Sequence, residues 1–208
     1  MILPSPPAHL KGRPARLLAG WLAAVWLAVS LVMASPWQVA SIVNPGRIDE
    51  NQVMAVYLYN FLNFVTWPDS TPPTRDEQRE PMTIGVLGDT SVSKALTELA
   101  AELIRQGKPP IRLASYPHYA SGLRLDQCHI LLVSDSEKEN FTRIIKDLKR
   151  SPVLTVGLSD DFLAAGGMIA MVERQNRIRY AINRRAAGQA GLQLSAQLLK
   201  SAVEIKDE

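Results

Sequence analysis

The chain has little of the material that builds most catalytic and metal centres. Its 208 residues include one cysteine, Cys128, and three histidines, His9, His118 and His129. One thiol excludes an internal disulfide, a Cys-based zinc site and an iron–sulfur cluster. No two histidines stand at H-x-x-x-H spacing, and no His/Asp cluster has ligand spacing, so no metal or cofactor is expected. GxGxxG and GxxxxGK[ST] are missing, which removes the usual phosphate cradles. GxSxG is missing too, so there is no nucleophile elbow for Ser-based hydrolysis. No Asp or Glu precedes Asp49. Only one long apolar run occurs.

That run lies in the leader. Lys11, Arg13 and Arg16 form a basic cluster, and Leu17 to Met33 follows without a charge. Small residues come next, at Ala34 and Ser35. Basic segment, apolar segment and small-residue exit are the order of a secretory signal peptide, here residues 1–34 with cleavage as late as 40. The alternative is an uncleaved inner-membrane anchor, although seventeen residues is short against the roughly 20 a spanning helix needs. The three basic residues equal the whole formal excess of +3. That excess would suggest an acidic partner such as nucleic acid, but without the leader the chain is formally neutral and no nucleic-acid partner is expected.

Residues 35–48 read as an extended lead-in, residues 49–204 as a single α/β domain, and residues 205–208 as a tail. Asp49 can cap a helix running to Trp67-Pro68. On it Val53, Val56, Tyr57, Asn60, Phe61, Phe64 and Val65 recur at three- and four-residue spacing. The proline-rich segment 69–81 reads as an exposed loop. Buried strands are expected at 82–87, 111–116, 129–133 and 153–156. Helices are expected at 91–104, 136–150 and 160–165. Short apolar strands alternating with helices argue for a parallel sheet covered on both faces. Residues 168–172 and 177–182, flanking Glu173-Arg174-Gln175-Asn176, read as an antiparallel hairpin at the sheet edge. A last helix, about 194–203, should bury Leu198, Leu199 and Val203. The fold class is therefore a three-layer α/β/α sandwich, mostly parallel, with an antiparallel edge hairpin near residues 168–182.

Several residues invite a chemical reading. Ser134-Asp135-Ser136-Glu137 follows a strand, but Ser136 with Glu139 three residues on has the spacing of a capping box. Cys128 and His129 are adjacent in a strand and so point to opposite faces, which is poor geometry for a thiol–imidazole pair. His118 and Tyr119 sit in a loop. Gly166-Gly167 is either a helix C-cap or a close backbone approach beneath an apolar hairpin surface. Arg174, Arg177, Arg179, Arg184 and Arg185 gather around the hairpin, and arginine is enriched in protein interfaces. The candidate partner- or ligand-binding residues are Ile169, Met171, Arg177, Arg179 and Tyr180, with His118 and Tyr119 as neighbours. None of this is a catalytic constellation, and the chain is not expected to be an enzyme.

Taken in order, Tyr57 to Pro68 (YLYNFLNFVTWP), Ile84 to Asp89 (IGVLGD), Cys128 to Ser134 (CHILLVS), Gly166 to Ile169 (GGMI) and the stretch from Ile182 to Leu199 resemble the YfiR-like periplasmic family. The resemblance covers roughly residues 49–204. It implies a dimer-forming periplasmic regulator without enzymatic activity. Such a regulator binds the periplasmic part of an inner-membrane diguanylate cyclase, keeps it inactive and lowers cyclic-di-GMP signalling. An OmpA-like outer-membrane lipoprotein can sequester it. The disulfides of some members cannot form here, since Cys128 is alone. The alternative is a periplasmic small-ligand-binding accessory or sensor protein.

Overall fold

Asp49 opens the first helix as its sequence position suggests. Its carboxylate accepts the backbone N–H of Asn51 at 3.0 Å, satisfying a donor that the first turn leaves free. In the computed structural model, which describes residues 49–68 and 81–207, this helix is α1, Glu50–Phe64. The leader, the lead-in and the loop at 69–80 lie outside the described residues.

Helix α1 ends earlier than the proline predicts. Val65–Thr66 is a short strand, β1, whose β-branched pair lies antiparallel to β8, Gln193–Leu194. The core-facing residues also differ from the expected set. Ala55, Leu58, Phe61 and Leu62 are buried, and Val56 is 45% exposed. Apolar residues run around most of this helix, so spacing alone did not single out the inward face.

The remaining elements alternate. They are β2 (Met82–Leu87), α2 (Val92–Arg105), β3 (Ile111–Tyr116), β4 (Ile130–Val133), α3 (Phe141–Leu148), β5 (Leu154–Gly157), α4 (Asp160–Ala164), β6 (Ile169–Arg174), β7 (Arg177–Asn183), α5 (Arg184–Gln189), α6 (Ala196–Ser201) and β9 (Glu204–Lys206). The seven-stranded sheet has the order β3-β2-β4-β5-β6-β7-β9. All its neighbours are parallel except β6 and β7. The mostly parallel α/β sandwich is thus present. The hairpin is present too, but β9 lies outside it in parallel register with Ala181–Asn183. The expected tail therefore supplies the outermost strand. Glu-Ile-Lys carries no strand signal of its own, and the backbone of β7 recruits it.

Side-chain alternation divides the core into two layers. Ile84, Val86, Ile130, Leu132, Leu154, Val156, Ile169, Met171, Tyr180 and Ile182 face α1 and α6 in one cluster. Leu131 and Val133 face Phe141, Ile144, Leu148 and Phe162 in the other. A strand covered on both faces must be apolar at every position. Strand β4, Ile-Leu-Leu-Val, is buried throughout. The last helix is shorter than expected, and Val203, expected inside, is 50% exposed.

Gly166 and Gly167 divide the two roles read from the sequence. Gly166 has φ +102°. Its N–H donates to the Leu163 carbonyl and that of Gly167 to the Phe162 carbonyl. These two bonds form a Schellman cap on α4. A Cβ on Gly167 would collide with the Phe162 ring. The pair is a structural stop packed against an aromatic ring.

Candidate functional site

The hairpin separates the five candidate residues by burial. Ile169 and Met171 are 0% exposed and Tyr180 is 4% exposed. Tyr180 stands edge-on to Tyr57 and Phe61, with ring centroids 5.4 and 5.2 Å away, and its hydroxyl donates to the Leu198 carbonyl at 3.0 Å. These three residues bind the sheet to α1 and α6 and present no surface. Their expected role in contact is corrected by that packing. Arg177 is exposed and Arg179 half-buried, so these two remain available.

The arginines do not form one cluster. Arg174 and Arg177 flank the turn, whose residues Gln175 and Asn176 both have positive φ (53° and 60°), as a two-residue hairpin turn requires. Arg184 and Arg185 lie at the other end of β7. Seven strand residues at about 3.3 Å each put roughly 20 Å between the two groups.

The carboxyl ends of β4, β5 and β6, where ligands of parallel sheets usually bind, carry a cavity of about 770 Å³ lined by His118, Tyr119 and residues 135–140, and several of the polar groups there bond one another. Glu137 is 3% exposed. Its carboxylate accepts the Tyr119 N–H at 3.3 Å and the Asn140 side-chain N–H at 2.9 Å, and lies 3.3 Å from His118 Nδ1. The Tyr119 hydroxyl donates to Asp147 at 2.6 Å, and that bond pushes the phenol pKa up. Lys138 pairs with Asp161 at 2.6 Å, the Ser159 hydroxyl donates to Asp135 at 2.7 Å, and Arg174 pairs with Asp160 at 2.7 Å. His118 and the hairpin tip therefore share one end of the sheet but sit at opposite limits of a polar strip.

Ser136 is not the helix cap that its spacing suggests. Ser134 caps the 3-10 turn Asp135–Asn140, accepting the Ser136 N–H at 3.2 Å, and donates to the Asp89 carbonyl at 2.5 Å. Ser136 instead accepts the Asp89 N–H at 3.0 Å. Both serines tie the turn after β4 to the turn after β2. Neither has a histidine among the partners of its hydroxyl.

Cys128 and His129 lie just before β4 and face opposite sides, Cys128 packing in the layer of Leu131 and Val133 and His129 standing edge-on to Trp67 with ring centroids 5.8 Å apart. The Cys128 thiol is buried 3.7 Å from the Tyr116 hydroxyl. Burial pushes the thiol pKa up and, with that contact, pushes the Tyr116 pKa up to about 12. A neutral buried thiol is a poor nucleophile. His129 Nδ1 accepts the Thr83 N–H at 3.0 Å, and burial lowers its pKa, so the imidazole is a neutral acceptor closing the start of β2. The pair has no shared chemistry.

The opposite end of the sheet is built differently. At the amino ends of β5 and β6, a cleft of about 450 Å³ separates α3 from α5. Ile145, Lys146 and Lys149 form one wall, Arg185 and Ala186 the other, and Thr155, Met168 and Asn183 the floor. The sequence singled out none of these as a group, because they come from four separate stretches. By sequence Arg185 groups with the hairpin arginines, and Gly166 and Met168 with the glycine pair before β6.

Residues 51–203 match a family model described as YfiR/HmsC-like. No curated protein matches. Among solved structures, a conserved domain protein from Vibrio cholerae O1 biovar El Tor strain N16961 aligns at TM-score 0.51 and 12% identity, over 75% of this chain and 60% of that one. An ABC domain in complex with L-Trp from Streptococcus pneumonia aligns at TM-score 0.44 and 14% identity, over 60% of this chain and 55% of that one. The chain spans less than two thirds of the length of either. The Vibrio likeness concerns the α/β fold alone.

Proposed function

The chain belongs to the YfiR/HmsC-like family, and on that premise we propose that it is an exported, non-enzymatic periplasmic regulator. It binds the periplasmic sensor part of an inner-membrane diguanylate cyclase and represses it. The family is one of periplasmic regulators rather than enzymes. Match over residues 51–203 is the observation that carries the reading. The absorption of Ser134, Ser136, Cys128 and His129 into structural bonds supports it.

Repression then works by differential affinity. A regulator that binds the inactive state of the cyclase more tightly shifts the equilibrium by the ratio of the two affinities. Arg177 and Arg179, which project from β7 beside the hairpin tip, are the proposed contact. A homodimer and release by an OmpA-like outer-membrane lipoprotein complete the proposal.

The test measures cyclic-di-GMP in strains lacking this gene, the cyclase gene or both. Loss of the regulator should raise the level, and loss of both should abolish the rise. An unchanged level in the single deletion overturns the proposal. With the partner in hand, Arg177→Glu with Arg179→Glu should weaken binding about tenfold or more while leaving the thermal midpoint unchanged.

A second reading, a periplasmic small-ligand-binding accessory or sensor, is favoured by one observation, the cleft between α3 and α5.

A further inference from the structure

We propose that this cleft is a binding site for a small organic anion with an apolar body, such as a medium-chain carboxylate. Its size is that of a small-molecule site, which typically measures about 300–1,000 Å³.

Charge decides the class of ligand. Lys146, Lys149 and Arg185 stand around the cleft, and no Asp or Glu lines it. None of the three has an ion-pair partner among the described residues. Lys146 and Lys149 have a local explanation, because they lie at the carboxyl end of α3, where cations suit the helix dipole. Arg185 has none. It occupies the first turn of α5, which contains no acid, and a cation there opposes the dipole. Its neighbour Arg184 is compensated by Asp207 at 2.8 Å. An anion in the cleft would compensate Arg185 and both lysines together.

The rest of the lining decides the ligand's body. Ile145, Ala165 and Ala186 give apolar walls, and Met168 gives an adaptable apolar floor. Of the cleft's uncharged polar lining, Thr142, Thr155, Asn183 and Gln189, two groups are held by hydrogen bonds and can orient a head group. The Asn183 side-chain oxygen accepts the Ala186 N–H at 2.9 Å, which leaves its NH₂ as a donor. The Thr155 oxygen accepts the Met168 N–H at 3.2 Å, which leaves its hydroxyl hydrogen as a donor on the floor. Donors and cations on an apolar surface describe an amphipathic anion. Inorganic phosphate would waste the walls, and a neutral lipid would leave the cations unpaired.

The inference rests on the ligand-binding reading and is independent of the cyclase. Protein purified from cells expressing the full chain is titrated with octanoate, phenylbutyrate, octanamide and acetate, following backbone amide NMR signals. The two amphipathic anions should move Gly166, Met168, Asn183 and Ala186, and bind about tenfold more tightly than octanamide or acetate. Lys149→Gln with Arg185→Gln should weaken octanoate by about tenfold or more and leave octanamide unchanged. Both side chains are exposed, so the fold should persist, which the spectrum itself checks. Equal binding of octanamide overturns the anion but keeps a ligand site. Equal binding of acetate shows an adventitious surface ion and overturns the amphiphile. No shift with any probe overturns both the inference and the ligand-binding reading.

Discussion

At the carboxyl ends of β4, β5 and β6, Glu137, Lys138 and Arg174 each meet a partner from another segment of the chain. At the amino ends of β5 and β6, Lys146, Lys149 and Arg185 have no ion-pair partner among the described residues. Both ends carry several charges in similar loops and helix ends. They differ in whether the chain supplies the counter-groups itself. The carboxyl end, which holds a cavity of about 770 Å³ beside His118 and Glu137, is closed in the sense that these charges are bonded within the chain. The amino end is open in the sense that its three cations are not, among the described residues.

The sharpest way to break that contrast uses two glycines with positive φ. Gly88 follows β2 at the closed end, with φ +87°, and a Cβ there would come within 2.5 Å of Ser136 Oγ. Gly166 lines the open end, with φ +102°, and its Cβ would meet only Ile145 Cγ2 at 3.6 Å. Alanine at either position costs about 1–2 kcal/mol for the left-handed backbone. At Gly88 overpacking adds about 1–3 kcal/mol. Urea denaturation should therefore show Gly88→Ala to be the more damaging. Equal losses would mean that the carboxyl end is no better packed than the cleft.

A smaller effect is expected at Glu137. Glu137→Ala strands the Tyr119 N–H and the Asn140 amide at a buried position and should cost about 1–3 kcal/mol. Glu137→Gln, which keeps one acceptor oxygen, should recover part of that. If both variants unfold at the wild-type midpoint, the strip is ornament rather than structure.

His129 gives the open end a pH signature. Its pKa is lowered from 6.5 by burial. Between the lowered value and 6.5 the unfolded chain holds more protons than the folded one. This contribution to stability is complete above pH 6.5 and is lost as pH falls toward the folded value. Denaturation midpoints at about pH 7.5 and about pH 5 should differ less in His129→Asn than in the wild type. The smallest change belongs to the cleft cations, whose neutralisation should shift ligand affinity and leave the midpoint where it was.

Much of this architecture could be read before any coordinates. Ile111–Tyr116 and the arms of the hairpin appear almost where their apolar patterns put them. The inward set Ile178, Tyr180 and Ile182 follows from simple alternation. The candidate site fared differently. Ile169, Met171 and Tyr180 are apolar because they are core, and a period-two pattern shows that a face is apolar without showing what covers it. Here α1 and α6, distant in sequence, cover it. Gln175-Asn176 makes a left-handed turn without the glycine that usually announces one. The capping role passed from Ser136 to Ser134 because the Asp89 N–H, 47 residues away, claims the Ser136 hydroxyl.

The sequence by itself determined which segments become strands and helices, that the sheet is mostly parallel, and that Cys128 and His129 cannot act together. Those properties depend on spacing within a dozen residues. Only the tertiary structure decided which charges are neutralised, which strand is outermost, and that three cations from α3 and α5 stand around one apolar cleft. Those properties depend on the register between segments far apart in the chain, and it is packing, not local pattern, that sets it.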